Sequence, residues 1–360
     1  MADPWERMEP VTKSRRQRLL ASFLRWATLR TSLSAEALWE ETPRYLDSLI
    51  ADFGQALYDA KGSCSALKET VHAIIDKHKH LELVLPATRE VMYSWELKEP
   101  VQSHLPMPSE GFKAALTVAL SRGYYLWAAT MLIGFLCLGR PGEILGLRRS
   151  SVVLPWDLLR KSGVGFVRFD KPKTRKKGPR KQHALLAEWW VLVFLRAVFR
   201  LIRPDDLLFP AGSRIFRSLW DEIFQWLGFS TEDGKGVTPA SLRAGGATLY
   251  YMLTGDLPRL QWLGRWLTYR SMCFYIQEIA AENALLGLDP GQRERVSWLA
   301  DRAGASLFVA AKLLWEGKVG LQPVELIPPK PRTRARLPPT PPDSDSDADD
   351  DPPGGLDLPG

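Results

Sequence analysis

The sequence predicts a mainly helical chain with a small β-sheet, split into an all-helical N-terminal part and a larger mixed α/β part. Three observations predict this. Apolar residues recur at helical spacing from Thr12 to about residue 96, and nothing there alternates as a strand does. A link with two prolines and a glycine, residues 101–111, then interrupts the pattern. Beyond it, short strand-like stretches at 165–169 and 182–186 stand among further helices.

Taken in order, residues 1–12 read as loose, and MADPWERMEP lacks the apolar core of a signal peptide. From Thr12, four basic residues lead into Leu19, Leu20, Phe23, Leu24, Trp26 and Leu29 on a helix. Further helices are expected at roughly 43–60, 63–80 and 86–96. After the link, Ser109 is placed to cap a buried helix of about 112–138, with Glu110 in its first turn. Gly139 stops that helix, and Pro141 opens the next. Val152–Leu154, Gly165–Phe169 and Gln182–Leu186 read as strands, with the basic loop 171–181 between the last two. Trp189–Ile202 is too long and periodic for anything but helix, Asp205–Pro210 reads as extended, and 213–228 as a helix apolar on one face. Helical pattern continues past Tyr275 to about Glu316. From Leu326, blocks of proline, basic and acidic residues cannot bury a core, so disorder is expected. The domains are therefore 1–100, a linker at 101–111, 112–320, and a tail at 326–360.

A chain of 360 residues is long enough for two domains, and 45% hydrophobic content is ordinary for a globular protein. Its net charge of +7 is unevenly spread. From Lys330 onward four basic residues face seven aspartates, a net of −3, which leaves +10 on residues 1–329. A basic body suits a polyanionic partner. Cys64, Cys137 and Cys273 have no paired spacing, so neither a disulfide framework nor a zinc site is expected, and a reducing, intracellular setting fits. The apolar run Tyr124–Leu138, bracketed by Arg122 and Arg140, falls short of the ~20 residues of a membrane span. The basic cluster within 171–181 has the character of a nuclear-import signal, so the expected location is the nucleus.

The motifs converge on Val237–Glu278. This stretch reads T-P-x-S-L-R from Thr238 to Arg243, A-T at 247–248, L-G-x-W from Leu263 to Trp266, and Tyr275 nine residues after Trp266. Upstream, Leu138-Gly139-Arg140-Pro141-Gly142-Glu143-Ile144-Leu145 is similar to a G-L-R-x-x-E-L box. The order and spacing resemble the tyrosine recombinases, the phage-integrase family, and most of all the branch carried by eukaryotic mobile elements. Motifs cover roughly residues 110–285; the N-terminal part matches in helical character only.

The resemblance implies a helical core-binding domain and a catalytic domain closing as a clamp on double-stranded DNA. It also implies a homo-oligomer, a tetramer on DNA, exchanging the helices after Tyr275 (284–316). It implies no cofactor and no metal. Residue by residue, it makes Arg140 and Arg243 the two catalytic arginines, Lys173 the lysine between two strands, Trp266 a phosphate buttress and Tyr275 the nucleophile. The residue types suit that chemistry. A phosphorane carrying extra negative charge is gripped bidentately by guanidinium groups, which a lysine point charge cannot match. A tyrosine oxygen that becomes joined to phosphate conserves the bond energy for rejoining.

Lys171 and Lys176 compete with Lys173 for the role of acid. One position departs from the family: Ala240 stands where a histidine is usual. Of the histidines His72, His78, His80, His104 and His183, none lies beyond 183, so His183, Ser241 or water would have to serve instead. Losing one acid–base group costs ~10²–10⁴ in rate, which slows an enzyme without necessarily killing it, so a degenerate copy and a working variant both stay open. Three other readings stand beside this one: a catalytically inactive DNA-binding relic, a type IB topoisomerase-like relaxer, and an unrelated helical scaffold. Taken singly, Arg140–Glu143 is also what a surface helix pair looks like, and Tyr275 what a core tyrosine looks like.

Overall fold

The computed structural model describes residues 5, 8, 10–99, 105–160, 163–170, 172 and 182–321. Lys171, Lys173, Lys176, the start of the link and the tail from 326 onward lie outside the described residues. The chain divides after Val101 into two compact units.

The first unit is built of α1 (Pro10–Thr31), α2 (Ala35–Glu40), α3 (Pro43–Asp59), α4 (Cys64–Lys77) and α5 (Pro86–Lys98). Its helix starts are written locally: the hydroxyls of Ser34, Thr42 and Ser63 accept the amides of Ala37, Tyr45 and Ala66. The start of α5 is capped from a distance. The buried Asp47 carboxylate on α3 accepts the Ala87 and Thr88 amides, each at 2.8 Å. Phe23, Leu46, Ile50, Leu67 and Ile74 fill the core beneath.

The second unit starts with α6 (Ser109–Ser121) and α7 (Tyr125–Leu136), where the sequence predicts one helix over about 112–138. Gly123, at φ +77°, turns the chain between them, a conformation open to glycine at little cost. Ser109 is the first helical residue rather than the cap. The short α8 (Pro141–Ile144) follows, then three antiparallel strands in the order β1-β2-β3: β1 (Val152–Val153), β2 (Gly165–Phe169) and β3 (Gln182–Leu186). Phe169 pairs with Gln182 and Arg168 with His183. The rest is helical: α9 (Trp189–Phe199), α10 (Gly212–Leu227), α11 (Ser241–Thr254), α12 (Leu257–Gly264), α13 (Tyr269–Cys273), α14 (Glu278–Leu286), α15 (Pro290–Ala300) and α16 (Ala303–Trp315). Residues 205–210, expected to be extended, form turns with a single bridge from Leu207 to Arg148.

The fold is thus mainly α with a small sheet. The core of the second unit centres on Trp127, Phe216, Trp220 and Phe224. Helices α15 and α16 belong to it through Val296, Leu299, Leu307 and Leu314. A second, small apolar cluster of Leu138, Ala247, Leu260, Trp266 and Met272 lies apart from that core, with Tyr275 packed against it. Among the described residues no helix is long and apolar enough to cross a membrane.

Candidate functional site

Three stretches build the site around that small cluster. The first is the turn after α7. Leu138 takes a left-handed conformation (φ +50°), and Arg140 is extended, as a residue preceding proline tends to be. Arg140 donates from Nη1 to Glu143 Oε1 at 2.7 Å, and its amide reaches Glu143 Oε2 at 3.3 Å. This is no surface pair, because the Glu143 side chain is only 5% exposed and Arg140 21%.

The second stretch is the end of α12. A Cβ on Gly264 would meet the Trp266 ring at 1.6 Å, so only glycine allows the indole to fold back there. Arg265 follows in the left-handed region (φ +59°), uncommon for a residue with a side chain. Its guanidinium binds Glu143 Oε2 at 3.0 Å, donates to the Cys137 carbonyl at 3.1 Å and lies 4.1 Å from the Phe169 ring centre. Glu143 therefore bridges Arg140 and Arg265.

The third stretch is α11. The hydroxyl of Ser241 is fully buried and accepts the Thr238 amide at 2.9 Å, which fixes the helix start. The small residues that follow let α11 press against its neighbours, and Arg243 is carried inward until it is 1% exposed. Its Nη2 donates to the Gly264 carbonyl at 2.6 Å and its Nη1 to the Leu138 carbonyl. The guanidinium carbon lies 4.3 Å from the Trp266 ring centre and 5.2 Å from that of Tyr275. Trp266 and Tyr275 are themselves 5.1 Å apart. Tyr275 sits in the turn just after α13 rather than within a helix.

The electrostatics follow from this packing. Two guanidiniums bind one carboxylate and Arg243 adds a third cation nearby, so these four groups carry a surplus of positive charge in a mostly buried site. Burial, then the nearby Arg140 and Arg265 cations, push Arg243 down to about 9, with Tyr275 and Glu143 opposing, so it remains charged at neutral pH. Burial also pushes Arg265 down, against the pull of Glu143. Burial alone would raise the Glu143 carboxyl, but Arg140 and Arg265 outweigh it and hold it below its ordinary value. Among the described residues, three buried donors have no hydrogen-bond partner: Arg243 Nε, Arg265 Nε and Trp266 Nε1. A buried orphan donor costs ~1–3 kcal/mol, and three beside a surplus of positive charge make an environment that favours an anion.

Of the residues singled out in the sequence, Arg243, Trp266 and Tyr275 are in mutual contact, and Arg140 joins them through Glu143 and Arg265. Lys173 lies outside the described residues. Ala240 stands immediately before α11, and its side chain caps nothing. Ser241 is committed to the main chain. His183 is exposed, and it borders an open pocket of 460 Å³ with Gln261, Trp262, Arg265, Trp266 and Leu267. Sequence reasoning missed Arg265, which occupies the unconstrained position of L-G-x-W. The glycine before it was the available signal. Among the described residues no three His, Cys, Asp or Glu side chains gather as metal ligands.

No family model matches the chain, and no curated protein does. Among solved structures it is similar to the XerH site-specific recombinase in its post-cleavage complex with a palindromic difH substrate, at 15% identity over 68% of this chain and 71% of that one, with a TM-score of 0.47. It is similar to the Tn1549 transposon integrase in complex with transposon right end DNA, at 11% identity over 79% and 96%, with a TM-score of 0.48. It is also similar to the XerA recombinase, at 18% identity over 77% and 91%, with a TM-score of 0.31.

Proposed function

We propose that this chain cuts and rejoins double-stranded DNA through a covalent 3′-phosphotyrosine formed on Tyr275. The observation that carries the reading is the buried contact of Arg243 with both Trp266 and Tyr275, in a site with surplus positive charge and three orphaned donors. In this scheme the Tyr275 oxygen loses its proton to water, attacks phosphorus and displaces the 5′ oxygen, which takes up a proton as it leaves. Arg140, held by Glu143, and Arg243 stabilise the charge on the non-bridging oxygens. The Trp266 indole N–H, a donor only, buttresses the same phosphate. Lys173, in the sequence between β2 and β3, is the proposed acid. Rejoining reverses these steps. The helical first unit is proposed to add its own contacts to the DNA. The helices after Tyr275, 284–316, are the proposed elements of exchange between neighbouring subunits, and each of α14, α15 and α16 exposes large apolar side chains: Ile279 and Leu286, Trp298, and Phe308 and Val309.

The test is a covalent trap. A pool of nicked random duplexes is incubated with the protein and run on a denaturing gel beside Tyr275→Phe. A slow band in the wild-type lane that is absent from the variant supports the scheme.

Two observations favour a second reading, in which the chain binds DNA without cutting it. Ala240 has no group that moves a proton, and the Nη groups of Arg243 are both engaged by carbonyls. That reading expects salt-sensitive DNA binding with no covalent band, and a gain of the band in Ala240→His.

A further inference from the structure

The chemistry needs the Tyr275 ring held against Arg243, yet Tyr275 lies in a turn between two short helices, where little regular structure fixes it. Thr248, on α11, does what the turn cannot. Four threonines in these helices turn their hydroxyls back on their own helix, Thr31 to Ala27, Thr70 to Ala66, Thr130 to Leu126 and Thr254 to Tyr250, while Thr88 and Thr117 each reach one carbonyl outside theirs. That back-bonding is the ordinary fate of a mid-helix threonine. Thr248, 1% exposed, departs from it. Its hydroxyl donates to the Tyr275 carbonyl at 3.0 Å and accepts the Gln277 amide at 3.2 Å. One buried side chain thus grips the main chain at Tyr275 and two residues beyond it.

We infer that Thr248 is the positioning residue for Tyr275: its two-sided grip on the 275–277 main chain holds the phenol against Arg243 and Trp266. This rests on the reading of Tyr275 as nucleophile. The argument itself is geometric. Arg243 and Thr248 belong to one rigid helix, so the cation and the nucleophile take their relative placement from a single element. A loss of placement of about 1 Å is enough to cost on the order of 10²-fold in rate.

The test compares Thr248→Val, which keeps the shape and removes the hydroxyl, with Thr248→Ser, which keeps the hydroxyl. Three readouts are taken on the full chain: hydrogen exchange at the Gln277 amide, nitration of the Tyr275 phenol by tetranitromethane located by peptide mass, and the rate of covalent trapping at saturating nicked duplex. Expected for Thr248→Val are loss of Gln277 protection, faster nitration of Tyr275 and a roughly 10–100-fold slower trapping rate. DNA affinity should stay unchanged, and Thr248→Ser should restore all three. Unchanged Gln277 exchange in Thr248→Val overturns the grip, and lost protection with unchanged nitration and trapping overturns the positioning role. Should the wild type itself form no covalent product, the nucleophile reading has failed, and the positioning claim is then decided by exchange and nitration alone. Thr248→Ala replaces Thr248→Val if that variant does not fold.

Discussion

The second unit contains two apolar clusters that treat their polar atoms in opposite ways. In the large core the buried tryptophans are satisfied: Trp127 Nε1 donates to the Phe216 carbonyl at 3.2 Å and Trp220 Nε1 to the Val237 carbonyl at 3.0 Å. In the small cluster Trp266 is also buried, but among the described residues its indole N–H has no hydrogen-bond partner, and neither do Arg243 Nε and Arg265 Nε. Burial without partners lowers stability, so this cluster is not optimised for the fold alone. The large core holds the chain together, and the small one holds donors ready for an anion.

The sharpest way to break this comparison is Arg243→Lys. It keeps the charge and removes the planar fork, and covalent trapping should slow by ~10²–10³-fold while DNA is still bound. A trapping rate within a factor of three of wild type would remove Arg243 from the chemistry.

Next in size is Glu143→Gln, which leaves Arg140 and Arg265 without their shared anion and should cost about 3–5 kcal/mol in chemical denaturation at pH 7. The pH dependence carries a sign. Because the folded state holds the Glu143 carboxyl below its ordinary value, its contribution is fully present above the unfolded value of about 4.3. It is lost as pH falls through the lower folded value, so the gap between wild type and Glu143→Gln should close on acidification. A gap independent of pH between 7 and 3 would contradict the assigned charge.

The two tryptophans give a matched pair. Trp127→Phe breaks a buried hydrogen bond and should cost about 1–3 kcal/mol, whereas Trp266→Phe removes an orphan donor and should be close to neutral in stability. Both are read from denaturant midpoints at equal slope, and equal losses would erase the distinction between the clusters. The smallest effect is a ligand one. Sulfate at tenfold its dissociation constant should stabilise the wild type by about 1.4 kcal/mol at constant ionic strength, and stabilise Arg243→Lys less. An identical shift in both would place the anion elsewhere.

Much of the fold was legible because period and punctuation were strong. The helices of the first unit follow from apolar spacing, and β2 and β3 from their alternation. The break at Gly123 was not legible, because the apolar run continues through Tyr124 and Tyr125 and hides a single left-handed residue. In the site, the motif spacing singled out Arg140, Arg243, Trp266 and Tyr275, and the structure gathers them. The same spacing said nothing of Arg265 or of the grip by Thr248. A buried arginine and a surface one look alike in sequence, and the hydroxyl of Thr248 declares itself only through partners 27 and 29 residues away.

The most direct measurement is to locate the covalent bond. The product trapped from the nicked duplex pool, for wild type and for Ala240→His, is digested with protease and nuclease and analysed by peptide mass. The account expects a nucleotide remnant on the peptide carrying Tyr275. A remnant on another tyrosine, or none from the wild type while DNA is bound, would contradict it.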